Sequence, residues 1–318
     1  MRLIDLYRLA VKKGIEKDVR NKSEIKEVLD KARREYKKLK GADKRAFDLE
    51  KLTNPFADTR ILYGSPDTDV RTVMVGVDME GPELLLADRL NQSDRSSIDL
   101  VLAHHPEGLA WAKLNDVMAL QANMLNKFGI PMDVASELLK ERADEVSRSL
   151  AGSNHFRSVD IARLLDIPFM CMHTVADNHV ADYLQKLFDK SKPNKLSDVI
   201  GALKRIPEYE DGLKKGAGPR ILVGDPGKKA GKVFIDMTGG TEGPKRVYPR
   251  LSQAGVGTIV SMHLSEEHFK YIKGEHINVV IAGHMASDNL GMNLLLDEIE
   301  RVAPLNVIAC SGFIRIKR

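Results

Sequence analysis

The sequence is poor in residues that several classes of protein require. Aromatic residues make up 5% of the 318 residues and include one tryptophan, so a stacking surface for single-stranded nucleic acid is not indicated. The only cysteines, Cys171 and Cys310, lie in apolar runs, which excludes a disulfide framework and favours a reducing compartment. No run approaches the roughly 18 apolar residues of a membrane span, and Asp5 and Arg8 interrupt any signal-peptide core. We therefore expect a cytoplasmic protein that does not contact a membrane.

The composition is that of a globular protein, with 43% hydrophobic and 30% charged residues. The net charge of +4 is uneven, because residues 1–50 hold 16 Lys and Arg against 10 Asp and Glu. Apolar stripes at helical spacing predict helices there. A basic arm could bind nucleic acid or an acidic partner. The acidic residues among the basic ones favour a solvated helix face instead. We therefore do not favour nucleic acid as a partner, although residues 1–50 do not exclude it.

From residue 72 onward, short β-branched runs alternate with longer helical patterns, as in TVMVGVD, IDLVLA and IPFMCM and again in KVFIDM, TIVSM and NVVIAG. This alternation predicts an α/β fold in which helices cover mainly parallel or mixed sheets. We predict two similar α/β halves, residues 61–200 and 201–318, preceded by an N-terminal helical segment and linker, residues 1–60.

Histidines concentrate at the carboxyl ends of the predicted strands, where ligands bind in open α/β sheets. Five of the nine histidines lie there: His104, His105, His173, His263 and His284. We expect these side chains to converge on one crevice. His263 could act as a general base or contact a substrate, or it could be an ordinary surface histidine.

Two of these histidines are followed four residues later by an aspartate, giving His173-x-x-x-Asp177 and His284-x-x-x-Asp288. In a helical first turn this spacing places imidazole and carboxylate on one side. Such donors suit Zn, Fe, Mn or Ni, and carboxylates can bridge two ions. The alternative is that both aspartates are helix N-caps and the histidines are hydrogen-bonded loop residues. Residues 239–243, rich in glycine, could likewise seat an anion or form a tight turn.

Three segments, in order, carry a resemblance to a known family. IDLVLAHHPEGLAW, MCMHTVADN and VVIAGHMASDNLGMNLLLDEIE resemble the His-His-Pro, His-Thr-x-x-Asp and Gly-His-x-x-[Ser/Thr]-Glu segments of the Nif-three-like family, whose members are often described as GTP cyclohydrolase I type 2 homologues. TVMVGVDMEGPELLLADRL resembles its first strand and helix. The resemblance covers roughly residues 61–110 and 160–318.

The resemblance implies a dinuclear centre of two divalent ions (Zn, Fe or Mn) and a toroidal homo-oligomer, commonly a hexamer. Its five ligands fall on His104, His105, Asp177, His284 and Asp288. A metal-dependent hydrolase of a small, nucleotide-like molecule is then the expected function. The alternative is a non-catalytic protein for metal binding, metal delivery or regulation.

Two further residues are expected to support the metal centre. His173 would orient a ligand or bind metal directly, and Asp78, at the end of the first strand, would orient a ligand.

The chain departs from the family pattern at three places. Asp288 stands where the family has glutamate, and the shorter side chain predicts a weaker second ion. The stretch between His105 and His173 is longer and contains an amphipathic run over residues 134–150, which predicts an added helix. Residues 1–50 are unlike the family, and because no expected ligand lies there, we expect the α/β part to fold and bind metal without them.

Overall fold

The computed structural model describes residues 1–93 and 97–318. Within these residues the strands β1 to β9 are, in chain order, Thr59–Tyr63, Thr72–Gly76, Leu100–Ala103, Phe169–Met172, Arg220–Val223, Lys232–Asp236, Val256–Ser261, Asn278–Ile281 and Asn306–Ala309. The helices α1 to α15 are Leu3–Glu16, Lys22–Lys38, Gly41–Ala46, Gly81–Gln92, Gly108–Ala112, Leu114–Val117, Leu120–Lys127, Met132–Leu150, Arg157–Leu165, Thr174–Ser191, Leu196–Leu203, Pro207–Lys214, Tyr248–Gln253, Glu266–Ile272 and His284–Glu300. Short 3-10 helices occupy Leu49–Leu52 and Lys245–Val247.

The strands form two sheets, with the orders β1-β4-β3-β2-β9 and β5-β8-β7-β6. In each sheet one edge strand is antiparallel to its neighbour, β1 to β4 and β5 to β8, and the other pairings are parallel. Central strands such as β3 are buried along their whole length, as expected for parallel strands covered by helices on both faces. The predicted α/β fold with two mainly parallel sheets is confirmed.

The last strand of the chain belongs to the first sheet. β9 pairs in parallel with β2, with Asn306 opposite Thr72 and Ala309 opposite Val75. We expected residues 306–309 to belong to the second half, residues 201–318. They pair with the first sheet instead, so no single position in the chain separates the residues of the two sheets. The return of β9 adds the fifth strand of the first sheet and ties the C-terminal part of the chain to it.

Two helices, α10 after β4 and α15 after β8, pack against each other and bring the two sheets together. Gly291 of α15 allows a close approach, because a Cβ atom there would lie 2.5 Å from the carbonyl oxygen of Ala176 in α10. Both helices begin at the carboxyl end of a strand. Their packing therefore joins the strand ends of one sheet to those of the other.

The first helix is part of the hydrophobic core. Leu3, Leu6 and Ala10 of α1 are buried in the main core cluster, and α1 contacts α10 and α15. The Nδ2 amide of Asn178 donates to the carbonyl oxygen of Gly14 at 3.2 Å. These contacts contradict the premise that residues 1–50 lie outside the core, so we now expect the chain not to fold without α1. In contrast, α2 buries only one residue, Ile25.

The added helix expected between the His-His pair and His173 is α8. It buries Ala135, Leu139 and Val146 and reaches the loop after β6, where Arg142 Nε donates to the carbonyl oxygen of Glu242 at 3.1 Å. Helix α8 therefore supports the loop that follows β6.

No helix in the part of the chain that the structure describes is long and apolar enough to cross a membrane. Both Cys171 and Cys310 are free thiols.

Candidate metal centre

The histidines at the strand ends converge as expected. His104 and His105 follow β3, His173 follows β4, and His284 begins α15 directly after β8. The ring centroids of His104 and His173 are 5.0 Å apart, and those of His105 and His284 are 5.3 Å apart. Since β3 and β4 lie in one sheet and β8 in the other, the cluster forms only where the two sheets meet.

Neither aspartate of the two His-x-x-x-Asp elements is an N-cap. The cap of α10 is His173 and that of α15 is Gly283, so Asp177 and Asp288 lie inside their helices, four residues after a histidine. In each element the histidine Nε2 lies 3.7 Å from an oxygen of its aspartate. The helix geometry therefore excludes the capping interpretation and leaves both carboxylates facing the imidazoles.

Asp288 is the centre of the cluster. Its Oδ1 lies 3.4 Å from His104 Nε2, and its Oδ2 lies 3.7 Å from both His105 Nε2 and His284 Nε2. Among the described residues, neither oxygen has a hydrogen-bond partner although both are buried, and the same holds for the Nε2 atom of His104. A buried carboxylate without partners is costly unless a cation satisfies it. Buried groups built from these histidines and aspartates could hold a metal ion.

The separations between donor atoms match those of ligands on a common ion. Two atoms that each lie about 2.1 Å from one ion at a tetrahedral angle are about 3.4 Å apart. Asp288 and His104 are separated by 3.4 Å, and Asp177 Oδ1 and His104 Nε2 by 3.5 Å. Asp288 thus reaches the cluster even though it is shorter than glutamate.

Burial and mutual attraction set the charges of the cluster. Burial opposes ionisation of Asp288, but the surrounding imidazoles, His104 above all, hold its pKa below the usual value. Burial raises the pKa of Asp177 to about 6 and lowers that of His284 to about 4. An ionised Asp288 beside a neutral His284 is the state that binds a divalent cation.

Each of three imidazoles is fixed by a hydrogen bond at Nδ1, which directs Nε2 to the cluster. His105 Nδ1 contacts Asp78 Oδ1 at 2.6 Å, which is the contact expected of Asp78. His104 Nδ1 donates to the carbonyl oxygen of Met172 at 3.2 Å. His173 Nδ1 contacts Asp58 Oδ2 at 2.8 Å. Such partners set the tautomer and orientation of metal-binding histidines.

Sequence reasoning missed Asp58. It lies just before β1 in what reads as a linker, 115 residues from His173, and it is buried. A segment that contains proline and aspartate before a short strand is typical of a turn. No local sequence signal therefore distinguished Asp58 from an ordinary turn residue.

An open cleft borders the cluster, and His284, Asp177 and Asp288 are among the residues that line it. His263 also lines the cleft, with its ring centroid 4.9 Å from that of His284 and its side chain about half exposed. His263 Nδ1 lies 3.6 Å from Oε1 of Glu242. The structure thus brings His263 beside the expected ligands, with a carboxylate behind it.

The glycine-rich loop of residues 239–243 forms part of the cleft wall, and its carbonyl oxygens accept hydrogen bonds from α7 and α8. Gln121 Nε2 donates to the carbonyl oxygens of Gly239 and Thr241 at 2.9 and 2.7 Å. Gly239 has φ +96°, and a Cβ atom there would lie 2.6 Å from the Gln121 side chain. These contacts favour the structural turn over the anion seat.

Together, the two sheets and the cluster at their junction define a class of protein: a mixed α/β protein with buried His and Asp groups that could hold a metal ion.

Comparison with known proteins identifies the fold. A NIF3 superfamily protein from Sphaerobacter thermophilus is 26% identical to this chain, with a TM-score of 0.70, over 83% of this chain and 94% of that one. Reduced HcgD from Methanocaldococcus jannaschii is 14% identical, with a TM-score of 0.46 and coverages of 78% and 87%. A Bacillus cereus protein related to NIF3 is 12% identical, with a TM-score of 0.40 and coverages of 81% and 92%. No protein-family model and no curated protein matches the chain. The chain has the NIF3-like fold, so the resemblance expected from the three segments is confirmed at the level of the fold.

Proposed function

We propose that the protein binds two divalent metal ions and is a metal-dependent hydrolase. The residues that would hold the ions are His104, His105, Asp177, His284 and Asp288, and Asp288 could contribute to both. The observation that carries the proposal is Asp288 itself, because each of its buried, unpartnered oxygens faces a different group of imidazoles. Imidazole and carboxylate donors together suit Zn, Fe and Mn.

The ions, when bound, would supply Lewis-acid polarisation of a substrate oxygen and activation of water near neutral pH. The chain's own residues would orient the reactants. Asp78 and the carbonyl oxygen of Met172 hold His105 and His104 by their Nδ1 atoms, so that neither ring can turn away. Glu242 faces Nδ1 of His263 and would leave its Nε2 as the atom that accepts or returns a proton.

The lining of the cleft bears on the charge of the substrate. The cleft is open beside the candidate ligands, so a small molecule could reach ions bound there. Among the described residues no lysine or arginine lines this cleft, so the bound ions would have to neutralise any phosphate. A small nucleotide-like molecule that presents its anionic group to the ions is the first substrate class to test.

A non-catalytic role in metal delivery is the second candidate. The side chains of His105 and His284 are 26% and 39% exposed, which would let a bound ion exchange with a partner. Metal-loaded protein should therefore be screened against nucleotides and phosphoesters, with transfer of the ions to a chelator measured in parallel. Turnover supports the hydrolase, whereas rapid transfer without turnover supports delivery.

The first prediction concerns stoichiometry. After dialysis against Zn²⁺, Mn²⁺ or Fe²⁺, elemental analysis should find about two ions per chain, because the cluster has two groups of donors that share Asp288. His276→Asn, which replaces an exposed histidine, should bind the same amount. A metal content near zero in the wild type would contradict the proposed centre.

The second prediction concerns His263. For a substrate found in the screen, His263→Ala should lower kcat by about 10²–10⁴-fold, the usual contribution of a general acid or base, while metal content is unchanged. His276→Asn should keep full activity. An unchanged kcat in His263→Ala would show that His263 has no role in catalysis and is an ordinary surface histidine.

We also propose that the chain assembles into a homo-oligomer, with a toroidal hexamer as the expected form. Three exposed leucines support an apolar contact surface: Leu85 and Leu86 on α4 and Leu164 on α9, two helices that pack together. Light scattering on the wild type and on Leu164→Lys would test it, since the charge should reduce the assembly to smaller species. A monomeric wild type would exclude the proposed assembly.

A further inference from the structure

The second half of α2 and the helix after it, α3, carry a strong positive charge. Residues 31–45 contain eight Lys and Arg against two acidic residues, Glu35 and Asp43. Since residues 1–50 hold 16 basic and 10 acidic residues, the whole basic excess of that segment comes from residues 31–45. All eight basic residues are exposed: Lys31, Arg33, Arg34, Lys37, Lys38, Lys40, Lys44 and Arg45.

Four of these side chains share the solvent side of α2. Ile25 is the residue that α2 buries, so it marks the side of the helix that faces the rest of the protein. At about 100° per residue, four residues lie within about 60° of the opposite direction: Lys31, Arg34, Lys37 and Lys38. We call these four residues the basic face.

The acidic residues of α2 leave the basic face without a counter-charge. Asp30 shares the solvent side but is paired with Arg33 at 2.8 Å. Glu27 shares it one turn nearer the N-terminus, and Glu35 is turned about 100° from its centre. Among the described residues, no carboxylate forms an ion pair with a member of the basic face. The four cations are therefore free to bind an external anion.

The side chains of α2 favour a nucleic acid over a membrane or a protein as that anion. A helix that lies on a membrane presents apolar side chains to it. Within α2, all of which the structure describes, Val28 is the one exposed large apolar residue, at 38%. The core of a protein interface is rich in aromatic residues and poor in lysine, and the basic face is the reverse. Lysine and arginine without apolar contacts are typical of binding to a phosphate backbone.

The shape of α2 fits the major groove of duplex DNA. Its 17 residues make a helix about 25 Å long and, with side chains, about 10–12 Å wide. The major groove of B-DNA is about 12 Å wide and admits an α-helix, whereas that of duplex RNA is deep and narrow. The basic face spans about 120° of the helix, so its side chains can reach phosphates on both sides of the groove.

We propose that α2 binds duplex DNA through the basic face, with the helix in the major groove and its four cations on the phosphates. Contacts of this kind do not depend on the base sequence and weaken strongly with salt. No residue of the candidate metal centre lies in α2, so the proposal is independent of the proposed function.

Fluorescence anisotropy of the full chain with a labelled DNA duplex of about 20 base pairs tests the proposal. Four phosphate contacts give a slope of log K against log salt of about −3.6, so Kd should rise about 100-fold between 50 and 200 mM NaCl. Arg34→Gln combined with Lys38→Gln should halve the slope to about −1.8 and raise Kd at 50 mM NaCl by at least about 10-fold. Arg34→Lys combined with Lys38→Arg keeps both charges and should bind as the wild type does.

The matched control is Lys186→Gln combined with Lys190→Gln. These two lysines are also exposed, also four residues apart on a long helix, α10, and their loss lowers the net charge by the same amount. DNA binding should be unchanged in this variant. An equal loss of binding in both glutamine variants would show that binding follows the net charge of the protein, which would overturn the proposal.

Two further ligands distinguish DNA from other polyanions. Duplex RNA of the same sequence should bind more weakly than the DNA, and vesicles of phosphatidylserine and phosphatidylcholine should not bind. RNA binding as tight as that of DNA, or vesicle binding that Arg34→Gln with Lys38→Gln abolishes, would assign the basic face to a different partner and overturn the proposal. Absence of DNA binding by the wild type at 50 mM NaCl would overturn it as well.

Discussion

Replacing Asp288 with alanine is expected to prevent binding of both proposed metal ions and to leave the fold intact. Oδ1 of Asp288 faces His104 at 3.4 Å, and Oδ2 faces His105 and His284 at 3.7 Å. The substitution would thus remove a donor from each of the two proposed ions. Elemental analysis should fall from about two ions per chain to well below one. The stabilisation by metal should disappear with it, which amounts to about 2.7 kcal/mol for an ion present at 100 times its Kd.

Two conservative variants of Asp288 refine this prediction. Asp288→Asn keeps the size but replaces one oxygen and removes the charge, so at most one ion should remain, with lowered affinity. Asp288→Glu lengthens the side chain by one C–C bond, about 1.5 Å. The aspartate oxygens already lie 3.4 to 3.7 Å from the imidazole nitrogens, close to the separation of two ligands on one ion. The longer side chain should therefore weaken metal binding, although the family pattern has glutamate here.

The control for the Asp288 series is Asp189→Ala, which removes an exposed carboxylate from α10 and should keep full metal content. Circular dichroism on each metal-free variant checks that the fold is retained. Wild-type metal content in both Asp288→Ala and Asp288→Asn would show that Asp288 is not a ligand.

Deleting residues 1–16 is expected to abolish soluble, folded protein. The deletion removes all of the buried side chains of α1 and exposes the faces of α10 and α15 on which they pack. Leu3, Leu6 and Ala10 are at most 1% exposed. Loss of one buried leucine side chain costs about 2–5 kcal/mol, and a whole domain is stable by only about 5–15 kcal/mol. The free-energy cost of removing the entire helix therefore exceeds the free energy of unfolding of the protein.

A point substitution gives the same result in measurable form. Leu6→Ala should lower the free energy of unfolding in urea by about 2–5 kcal/mol. Leu49→Ala, at a leucine that is 58% exposed, should change it by less than about 0.5 kcal/mol. A cooperative unfolding transition in the chain that lacks residues 1–16 would show that α1 is dispensable.

The α1 deletion also bears on the metal centre. Asn178 of α10 donates to the carbonyl oxygen of Gly14, and a Cβ atom at Gly14 would lie 2.5 Å from the Val175 side chain. Both contacts lie within two residues of Asp177. A substitution in α1 that leaves the protein folded should therefore still lower its affinity for metal.

Local patterns in the sequence determined the elements and the candidate ligands. A β-branched run such as IDLVLA predicts a strand because each of its residues prefers extended backbone, and a His-x-x-x-Asp spacing predicts one helical face because four residues make about one turn. These relations involve residues that are close in the chain. They located the strands, the helices α10 and α15, and the strand-end histidines without any tertiary information.

The tertiary structure alone decided which distant residues meet. It joined Asp288 to His104, paired β9 with β2, buried α1 and placed Asp58 behind His173. Each contact depends on how helices and sheets pack, and no short-range preference of the chain encodes that packing. Asp58 and His173 are 115 residues apart, so only the packed sheet, with β1 beside β4, turns a linker aspartate into the hydrogen-bond partner of an imidazole.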